Sequence, residues 1–161
     1  MQRHYPKRPI VGVGAVIFKD NQVVLARRGR APAYGAWSLP GGGVELGETL
    51  EAAIIREVFE EIGLGIEVEK LVAVLDRIFL DEAGQVKYHY VLIDFLCQIT
   101  SGKMRASSDA LSCALVPMEA TAPYRLSRET LEVIRRAYQH LYGGSPPIYM
   151  VTRVTEALPS G

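Results

Sequence analysis

The sequence predicts an α/β fold in which a central mixed sheet lies between two helices. Leu50–Ile62 and Leu126–Tyr142 each place apolar residues at helical spacing, and much of the remaining chain consists of apolar or β-branched runs typical of strands. Each helix has one apolar stripe that must pack on another element, and a sheet between the helices would bury both stripes. A length of 161 residues with 48% hydrophobic residues suits one domain with a sizeable core.

The strands are predicted from apolar or β-branched runs bounded by turn residues. In chain order they are Ile10–Lys19, Val23–Arg28, a short segment Trp37–Leu39, Ile66–Leu80, Val86–Ile99 and Cys113–Pro117. Gly29–Gly43, which includes the short strand, and Ser101–Ser108 are predicted as loops because Gly, Pro or polar residues dominate them.

The second helix closes the predicted domain. Ser127 can cap its first turn, and Gly143 and Gly144 can end it. Residues 1–144 are therefore expected to form a single domain. Residues 145–161 form an appendage that is either disordered, which we favour, or an arm that pairs with a partner subunit in a homodimer.

Composition argues against several classes of protein. The formal net charge is zero, so nothing favours binding to nucleic acid or to an acidic membrane surface. No apolar run approaches the roughly 18 residues that a membrane helix needs, and the N-terminal MQRHYPKRPI lacks the apolar core of a signal peptide. Cys97 and Cys113 have neither CxxC nor zinc-site spacing, so we expect two reduced thiols in a cytoplasmic protein.

The first helix gathers carboxylates on one side. It contains neither Gly nor Pro, Thr49 can cap its start, and Gly63 can end it. At about 100° per residue, Glu57, Glu60 and Glu61 fall within a wedge of about 100°. Two like charges about 4 Å apart repel by roughly 4 kcal/mol at an effective dielectric constant of about 20. The triplet is therefore either a solvated acidic face or a site for a hard cation such as Mg²⁺ or Mn²⁺.

The segment in front of this helix favours the cation site. Trp37–Gly43 has the sequence WSLPGGG, in which Pro40 fixes one φ angle and three glycines let the main chain approach a ligand closely. Such a loop can aim a carbonyl or amide groups at a metal or a phosphate. A glycine turn alone would be ordinary, but a glycine loop in fixed register with an acidic helix is a more specific pattern.

Loop and helix together, Gly42–Leu64, resemble the Nudix box, G-x5-E-x7-R-E-U-x-E-E-x-G-U with U aliphatic, at every position. The fixed residues are Gly42, Glu48, Arg56, Glu57, Glu60, Glu61 and Gly63, and the aliphatic positions hold Val58 and Leu64. With average residue frequencies, the chance probability of this match is on the order of 10⁻⁹ per starting point. The flanks from about Tyr5 to Tyr142 are more loosely similar to compact bacterial Nudix hydrolases of the ADP-ribose pyrophosphatase-like group. The resemblance implies the α/β/α sandwich of that family, with a central mixed sheet between helices.

The resemblance also implies roles for the box residues. The implied ligands of Mg²⁺, or alternatively Mn²⁺, are three side chains and one main-chain carbonyl: Glu57, Glu60, Glu61 and Gly41. Bound there, the cation would hold a substrate diphosphate and activate the attacking water. Arg56 would orient the glutamates and pair with Glu60 or its neighbours. Glu48 would support the site or simply place a negative charge at the helix N-terminus.

The general base has two possible sources in the family, namely the box itself or an acidic residue in a loop after the long strands. Here that loop is MRASSDALS, in which Asp109 is the only carboxylate. Asp109 is alternatively a turn residue, since Ser-Ser-Asp is typical of turns. We expect Glu57 or Glu60 to act as the base, with Asp109 assisting.

Four further residues are candidates for substrate binding. Arg28, at the end of the second strand, is either a phosphate ligand or a solvated charge. Trp37 either stacks on a nucleobase or packs against the sheet, and His89 either contacts the substrate or is a structural histidine within a strand. Gly42 lies where the main chain can approach the substrate.

The function that the resemblance implies is Mg²⁺-dependent hydrolysis of the pyrophosphate bond in a nucleoside diphosphate linked to another moiety, with ADP-ribose or a nucleotide sugar favoured. Subfamily markers outside the box are absent: no SQPWPFPxS run follows it, no tyrosine lies 16 to 18 residues after Leu64, and Phe79 replaces the proline of many ADP-ribose enzymes. The alternatives are a pyrophosphohydrolase of ordinary or oxidised nucleoside triphosphates and a non-catalytic nucleotide sensor. Sensors usually lose box glutamates or carry a DNA-binding segment, neither of which this sequence shows.

Overall fold

The computed structural model describes residues 2–107, 109–144 and 146–155. These residues form eight strands and two α-helices, with two short 3₁₀ turns between β7 and α2. The strands are β1 (Ile10–Lys19), β2 (Gln22–Arg28), β3 (Trp37–Ser38), β4 (Gly41–Gly43), β5 (Leu64–Leu80), β6 (Val86–Gly102), β7 (Ala110–Pro117) and β8 (Ile148–Thr155). The helices are α1 (Leu50–Ile62) and α2 (Arg128–His140).

The sheet is mixed, as predicted. Its main path has the order β3-β2-β1-β6-β5-β8, with β4 paired to β1 and β7 paired to β2. The β1–β6 and β5–β8 pairs are parallel, and the other pairs are antiparallel. Because β1 pairs with β2, β4 and β6, it connects the glycine segment to the long central strands.

The two helices pack on opposite faces of this sheet. Ile54 and Val58 of α1 are fully buried in a core that includes Ile17 of β1. Val133 of α2 is fully buried in a second core that includes Val16, the neighbouring residue of β1. Adjacent strand residues point to opposite faces, so each apolar stripe has its own side of the sheet. The predicted α/β/α sandwich is confirmed.

The caps of α1 lie where the sequence predicts them. Thr49 Oγ1 accepts a hydrogen bond of 3.1 Å from the amide of Ala52, and Gly63 ends the helix at φ +75°. Ser127 caps α2 in the same way, through a 3.1 Å bond from the amide of Thr130. The second helix was predicted to extend two residues too far at each end, because Ser127 is the cap and a turn follows His140.

The strands extend further than predicted at several points. Gly41–Gly43, predicted as loop, pairs with β1 as β4. A Cβ atom at Gly41 would lie 2.0 Å from the carbonyl oxygen of Val13, so only glycine allows this approach. β6 also runs to Gly102, and β7 begins at Ala110, three residues before the predicted start. Backbone pairing with β5 extends β6 into polar sequence, and pairing with β2 accounts for the earlier start of β7.

Residues 148–155 of the C-terminal appendage are ordered, which contradicts the disorder that the sequence favoured for them. These residues form β8, which pairs in parallel with β5 from Ala73 to Leu80 of the same chain. The free edge of β5 accounts for this order, since it offers main-chain partners to a β-branched segment. Ser145 and residues 156–161 lie outside the described residues, and the homodimer stays a prediction. Neither α1 nor α2, the α-helices of the described residues, has the length and apolarity to cross a membrane.

Candidate active site

Arg56 lies at the centre of a network of carboxylates on α1 and the loop before it. Its Nε and Nη2 atoms donate to the two carboxylate oxygens of Glu48 at 2.7 and 2.8 Å. Nη1 donates to Glu57 at 2.8 Å and to Glu60 at 3.2 Å, and Nη2 also donates to the carbonyl of Gly43 at 2.9 Å. One guanidinium group therefore offsets the repulsion among three glutamates and ties α1 to β4. We call these residues the Arg56 network.

Glu48 is the main partner of Arg56. The predicted contact with Glu60 is present, but the bidentate contact with Glu48 is shorter and less exposed. Hydrogen bonds from Arg56, and then from the amide of Glu45, lower the pKa of Glu48 to about 2. Glu48 therefore stays ionised at neutral pH, which suits a supporting carboxylate better than an acid or base.

Glu57 packs directly against the main chain of β4. A Cβ atom at Gly42 would lie 2.2 Å from Oε2 of Glu57, so any side chain there would displace the carboxylate. Glycine at this first position of the box is thus explained by the space that Glu57 needs. The sequence predicted a close approach at Gly42, but it did not indicate that Glu57 is the group that approaches.

Glu61 points away from Arg56 and towards β4. Its Oε2 atom accepts a 2.9 Å hydrogen bond from the amide of Gly41. Burial raises the pKa of Glu61 to about 7; the negative charges of Glu57 and Asp109 act in the same direction, while the Gly41 bond and Arg28 oppose it. Glu61 forms no ion pair with a described residue, so it is the box carboxylate that a cation would stabilise most.

The box glutamates do not converge on one point. Among the described residues, no three His, Cys, Asp or Glu side chains are arranged so that they could hold a metal ion. Glu57 and Glu60 share one nitrogen of Arg56, whereas Glu61 faces the amide of Gly41. The donor chemistry still suits Mg²⁺ or Mn²⁺, because every candidate ligand offers oxygen.

Asp109, the candidate from the second loop, lies just before β7. It pairs with Arg30 at 2.5 Å, and the two side chains are 41% and 56% exposed. The negative charge of Asp109 contributes to the raised pKa of Glu61, which places Asp109 near the box. Asp109 is therefore near enough to the box for its predicted assistance to the base, which stays a prediction. In the structure its partner is Arg30.

A cavity of about 470 Å³ lies on the α2 face of the sheet. Its lining comes from alternate residues of the central strands, such as Leu75 of β5 and Leu92 of β6, together with Val133 of α2. The glycines of β4 and the segment after β2 form its rim. We refer to it as the cavity.

Of the predicted substrate residues, Arg28, Trp37 and Gly42 line the cavity, and His89 does not. His89 lies next to Tyr90 on β6 and therefore points to the opposite face. Trp37 also packs edge-on against Tyr124, with ring centroids 4.9 Å apart. The packing of Trp37 is therefore present, and its stacking on a nucleobase stays a prediction.

Arg28 lies between the cavity and the box. Its Nε atom donates to the carbonyl of Pro32 at 2.9 Å. Burial lowers the pKa of Arg28, while the nearby Tyr90 and Glu61 raise it. Arg28 is thus close enough to interact electrostatically with Tyr90 in the cavity wall and with Glu61, the box carboxylate that forms no ion pair with a described residue.

Sequence reasoning missed several cavity residues, all of them charged or hydrogen-bonding groups: Arg3, Arg77, Tyr90, Asp94 and Arg125. Asp94 is the clearest omission. It is a lone carboxylate in the apolar run VLIDFLC and is only 7% exposed. A charged residue in an otherwise apolar strand was the available signal.

Comparison with known proteins identifies the family. The family model described as the NUDIX domain matches residues 8–137. The chain belongs to the Nudix family. The match covers the box, β1 and nearly all of α2, so the resemblance carried by Gly42–Leu64 is confirmed for the domain as a whole.

Two curated relatives carry related names. An ADP-ribose pyrophosphatase of Methanocaldococcus jannaschii is 39% identical over 102 residues, which are 63% of this chain and 58% of that protein. A putative ADP-ribose pyrophosphatase of Bacillus subtilis is 31% identical over 129 residues, 80% of this chain and 60% of that protein. The chain thus spans about three fifths of the length of these two relatives.

Solved structures share the Nudix fold. The MutT NUDIX hydrolase of Burkholderia pseudomallei is 33% identical, with a TM-score of 0.69 over 80% of this chain and 98% of that one. Similarity over nearly the whole of that protein supports the strand order and helix placement described above.

Proposed function

We propose that this Nudix chain is a pyrophosphohydrolase that depends on Mg²⁺, or alternatively Mn²⁺. Its substrate is a nucleoside diphosphate linked to another moiety, with ADP-ribose or a nucleotide sugar favoured. One observation carries the proposal: a complete set of box carboxylates adjoins an arginine-rich cavity across the glycine strand β4. The names of the two ADP-ribose pyrophosphatase relatives support the choice of substrate.

The cation would be held by the side chains of Glu57, Glu60 and Glu61 and by the carbonyl of Gly41. The chemistry that it would supply there is neutralisation of the diphosphate charge and acidification of water. Arg56 and Glu48 would position the ligands, since their bidentate contact fixes the helix face. The raised pKa of Glu61 supports this assignment, because a nearby cation would remove the cost of ionising a half-buried carboxylate.

The remaining residues would handle the substrate and the proton. Glu57 or Glu60 would take the proton of the attacking water, with Asp109 assisting. Arg28 would bind a phosphate oxygen, which its position between the cavity and Glu61 favours. Trp37 would stack on the substrate, and Gly42 would let the main chain approach it. His89 has the weakest support, because it lies outside the cavity lining.

The alternative activity that we propose is hydrolysis of nucleoside triphosphates, ordinary or oxidised. A non-catalytic sensor is the third candidate, and the intact box argues against it. We also propose a cytoplasmic location, in agreement with the two free thiols Cys97 and Cys113.

A nucleotide panel tests the proposal. Purified protein is incubated with ADP-ribose, UDP-glucose and the nucleoside triphosphates, with Mg²⁺ or with EDTA, and the products are separated by chromatography. We expect ADP-ribose to give AMP and ribose 5-phosphate with Mg²⁺ and to remain intact with EDTA. Preferential release of pyrophosphate from a triphosphate would favour the second activity. Tight nucleotide binding without any product would identify a sensor.

A further inference from the structure

The cavity contains polar groups that the proposed mechanism does not use. Asp94 on β6 is 7% exposed, and the structure gives its carboxyl group no hydrogen bond to a described residue. Tyr90 Oη and Arg77 Nε are buried and likewise have no hydrogen-bond partner among the described residues. Buried polar groups in folded proteins are nearly always paired. Three unpaired groups around one cavity therefore indicate a ligand that pairs with them.

The first strand leaves room for Asp94. Gly14 lies beside Asp94 in the parallel β1–β6 pair. A Cβ atom at Gly14 would lie 2.2 Å from Oδ1 of Asp94. An apolar residue at position 94 would pack in the core and would not need the space that the missing side chain of Gly14 leaves. The pairing of a glycine with a buried carboxyl group thus keeps a hydrogen-bonding group at the floor of the cavity.

The charges of the cavity are unbalanced. Of the residues that the structure describes, four arginines but only one carboxylate line it, in a chain with zero net charge: Arg3, Arg28, Arg77, Arg125 and Asp94. None of the four arginines forms an ion pair with a described residue. Burial raises the pKa of Asp94 to about 7, and the charge of Arg77 opposes this shift. Arg28 is the arginine within reach of Glu61.

The distribution of polar and apolar groups in the cavity indicates a ligand with two chemically different parts. An anionic phosphate suits Arg28, near the box, and is disfavoured beside the carboxyl group of Asp94. Between these ends the walls are apolar or aromatic: Trp37, Leu39, Leu75, Phe79, Leu92 and Val133. Such walls fit a flat heterocycle whose edge carries hydrogen-bonding groups.

We propose that Asp94 and Arg77 recognise the edge of the substrate's base and select one with an amino group beside a ring-nitrogen acceptor, as in adenine. The carboxylate accepts from the amino group, and Nε–H of Arg77 donates to the ring nitrogen. A 6-oxo base such as hypoxanthine reverses both groups and leaves both protein atoms unpaired. Tyr90 supplies a third hydrogen bond to the same ligand. The inference rests on the proposed function only in assigning the phosphate end of the ligand to Arg28 and the box.

Calorimetric titration with AMP and IMP tests this recognition without hydrolysis, because neither nucleotide contains an anhydride. The wild-type protein should bind AMP about 10-fold or more tightly than IMP. Asp94→Asn should abolish that preference, mainly by weakening AMP. The matched control is Asp20→Asn, at an exposed turn position with φ +54° that Asn also adopts; it should keep the wild-type ratio. Equal binding of AMP and IMP by the wild type, or an unchanged ratio in Asp94→Asn, would overturn the proposal.

Tyr90→Phe provides a second test that does not depend on the folding of Asp94→Asn. Its hydroxyl has no partner among the described residues, so its removal should leave Tm unchanged or higher and weaken AMP several-fold. A lower Tm with unchanged AMP affinity would mean that the hydroxyl is structural and would count against the proposal. Hydrolysis of ADP-ribose without a base preference would refute this inference alone. A base preference without hydrolysis would instead refute the proposed function.

Discussion

The Arg56 network and the floor of the cavity place charges in the same domain with opposite degrees of pairing. In the network, one guanidinium group makes five hydrogen bonds, to three glutamates and one carbonyl. At the floor, the side chains of Asp94, Arg77 and Tyr90 make no hydrogen bonds that the structure describes. The network stabilises the protein before any ligand binds, whereas the floor leaves its polar groups available to a ligand.

The difference also corresponds to two tasks of the proposed active site. Positioning needs groups whose geometry is fixed in the free protein, and recognition needs groups that are paired only in the complex. Glu61 lies between these extremes, because it accepts one amide hydrogen bond but forms no ion pair with a described residue. Changes in the network should therefore alter stability and catalysis, and changes at the floor should alter affinity.

The largest expected effect follows from Glu57→Gln, which removes a proposed metal ligand and base from the network. We expect kcat for the preferred diphosphate to fall by about 10²–10⁴-fold with Mg²⁺. Steady-state kinetics on the best substrate of the nucleotide panel measures this. The control is Glu51→Gln, an exposed glutamate in the first turn of the same helix, which should retain near wild-type kcat. Similar kcat values for both variants would exclude Glu57 from catalysis.

The two regions also differ in how far the sequence could predict them. The network depends on offsets within one helix and its preceding loop, so a 23-residue pattern sufficed to name Glu48, Arg56 and Glu57. Its helix caps, Thr49 and Gly63, were equally local. Side chains that share a helix face can be predicted from the spacing of residues close together in the sequence.

The cavity could not be predicted in this way because three distant segments build its floor. Gly14 faces Asp94 across 80 residues of sequence, and Arg77 lies opposite Tyr90 through the β5–β6 register. Register is set by tertiary pairing and decides which face a side chain lines. The sequence therefore predicts His89 as a candidate, although of these two neighbours it is Tyr90 that lines the cavity. Strand β8 was missed because its partner edge on β5 is equally remote.

The pH dependence of stability should next separate Glu61 of the box from Asp94 at the floor of the cavity. Glu61 and Asp94 both have a folded-state pKa raised to about 7, so the folded state retains protons that the unfolded chain has lost above about pH 4.5. The unfolding free energy should therefore fall as pH rises from about 5 to 7.5, by on the order of 1–3 kcal/mol for each group. Urea unfolding across this range measures the fall.

Variants and cation assign the two contributions. Glu61→Gln should remove one part of the fall and Asp94→Asn the other. Added Mg²⁺ should suppress only the part that belongs to Glu61, because a bound cation stabilises the ionised carboxylate. An Mg²⁺ effect that persists in Glu61→Gln and disappears in Asp94→Asn would show that the cation acts at Asp94 and not at Glu61.

Arg56→Lys should produce a smaller effect, confined to the network. Lysine keeps the charge but cannot contact both oxygens of Glu48 and the carbonyl of Gly43 together. We expect the unfolding free energy to fall by about 1–2 kcal/mol in urea. Arg135→Lys is the matched control, since Arg135 also contacts a carboxylate, Glu132, through two nitrogens but is 53% exposed. Its effect should stay within about 0.5 kcal/mol, and equal losses would show that pairing in the network adds nothing special.

The smallest expected effect is on stability, and it concerns the edge strand β8. This strand pairs with β5, which contributes residues to the cavity lining. Thr152 of β8 pairs with Arg77 in the sheet, and its hydroxyl donates to Glu129 of α2 at 2.9 Å. Thr152→Val keeps the β-branched shape and should lower the unfolding free energy by about 0.5–1 kcal/mol. Thr155→Val, at the exposed end of the same strand, should cost less. KM should stay constant in both variants, because the Thr152–Glu129 hydrogen bond connects β8 to α2 and involves no side chain of the cavity floor. A raised KM in Thr152→Val alone would mean that Glu129, once released, pairs with Arg77 and competes with the ligand.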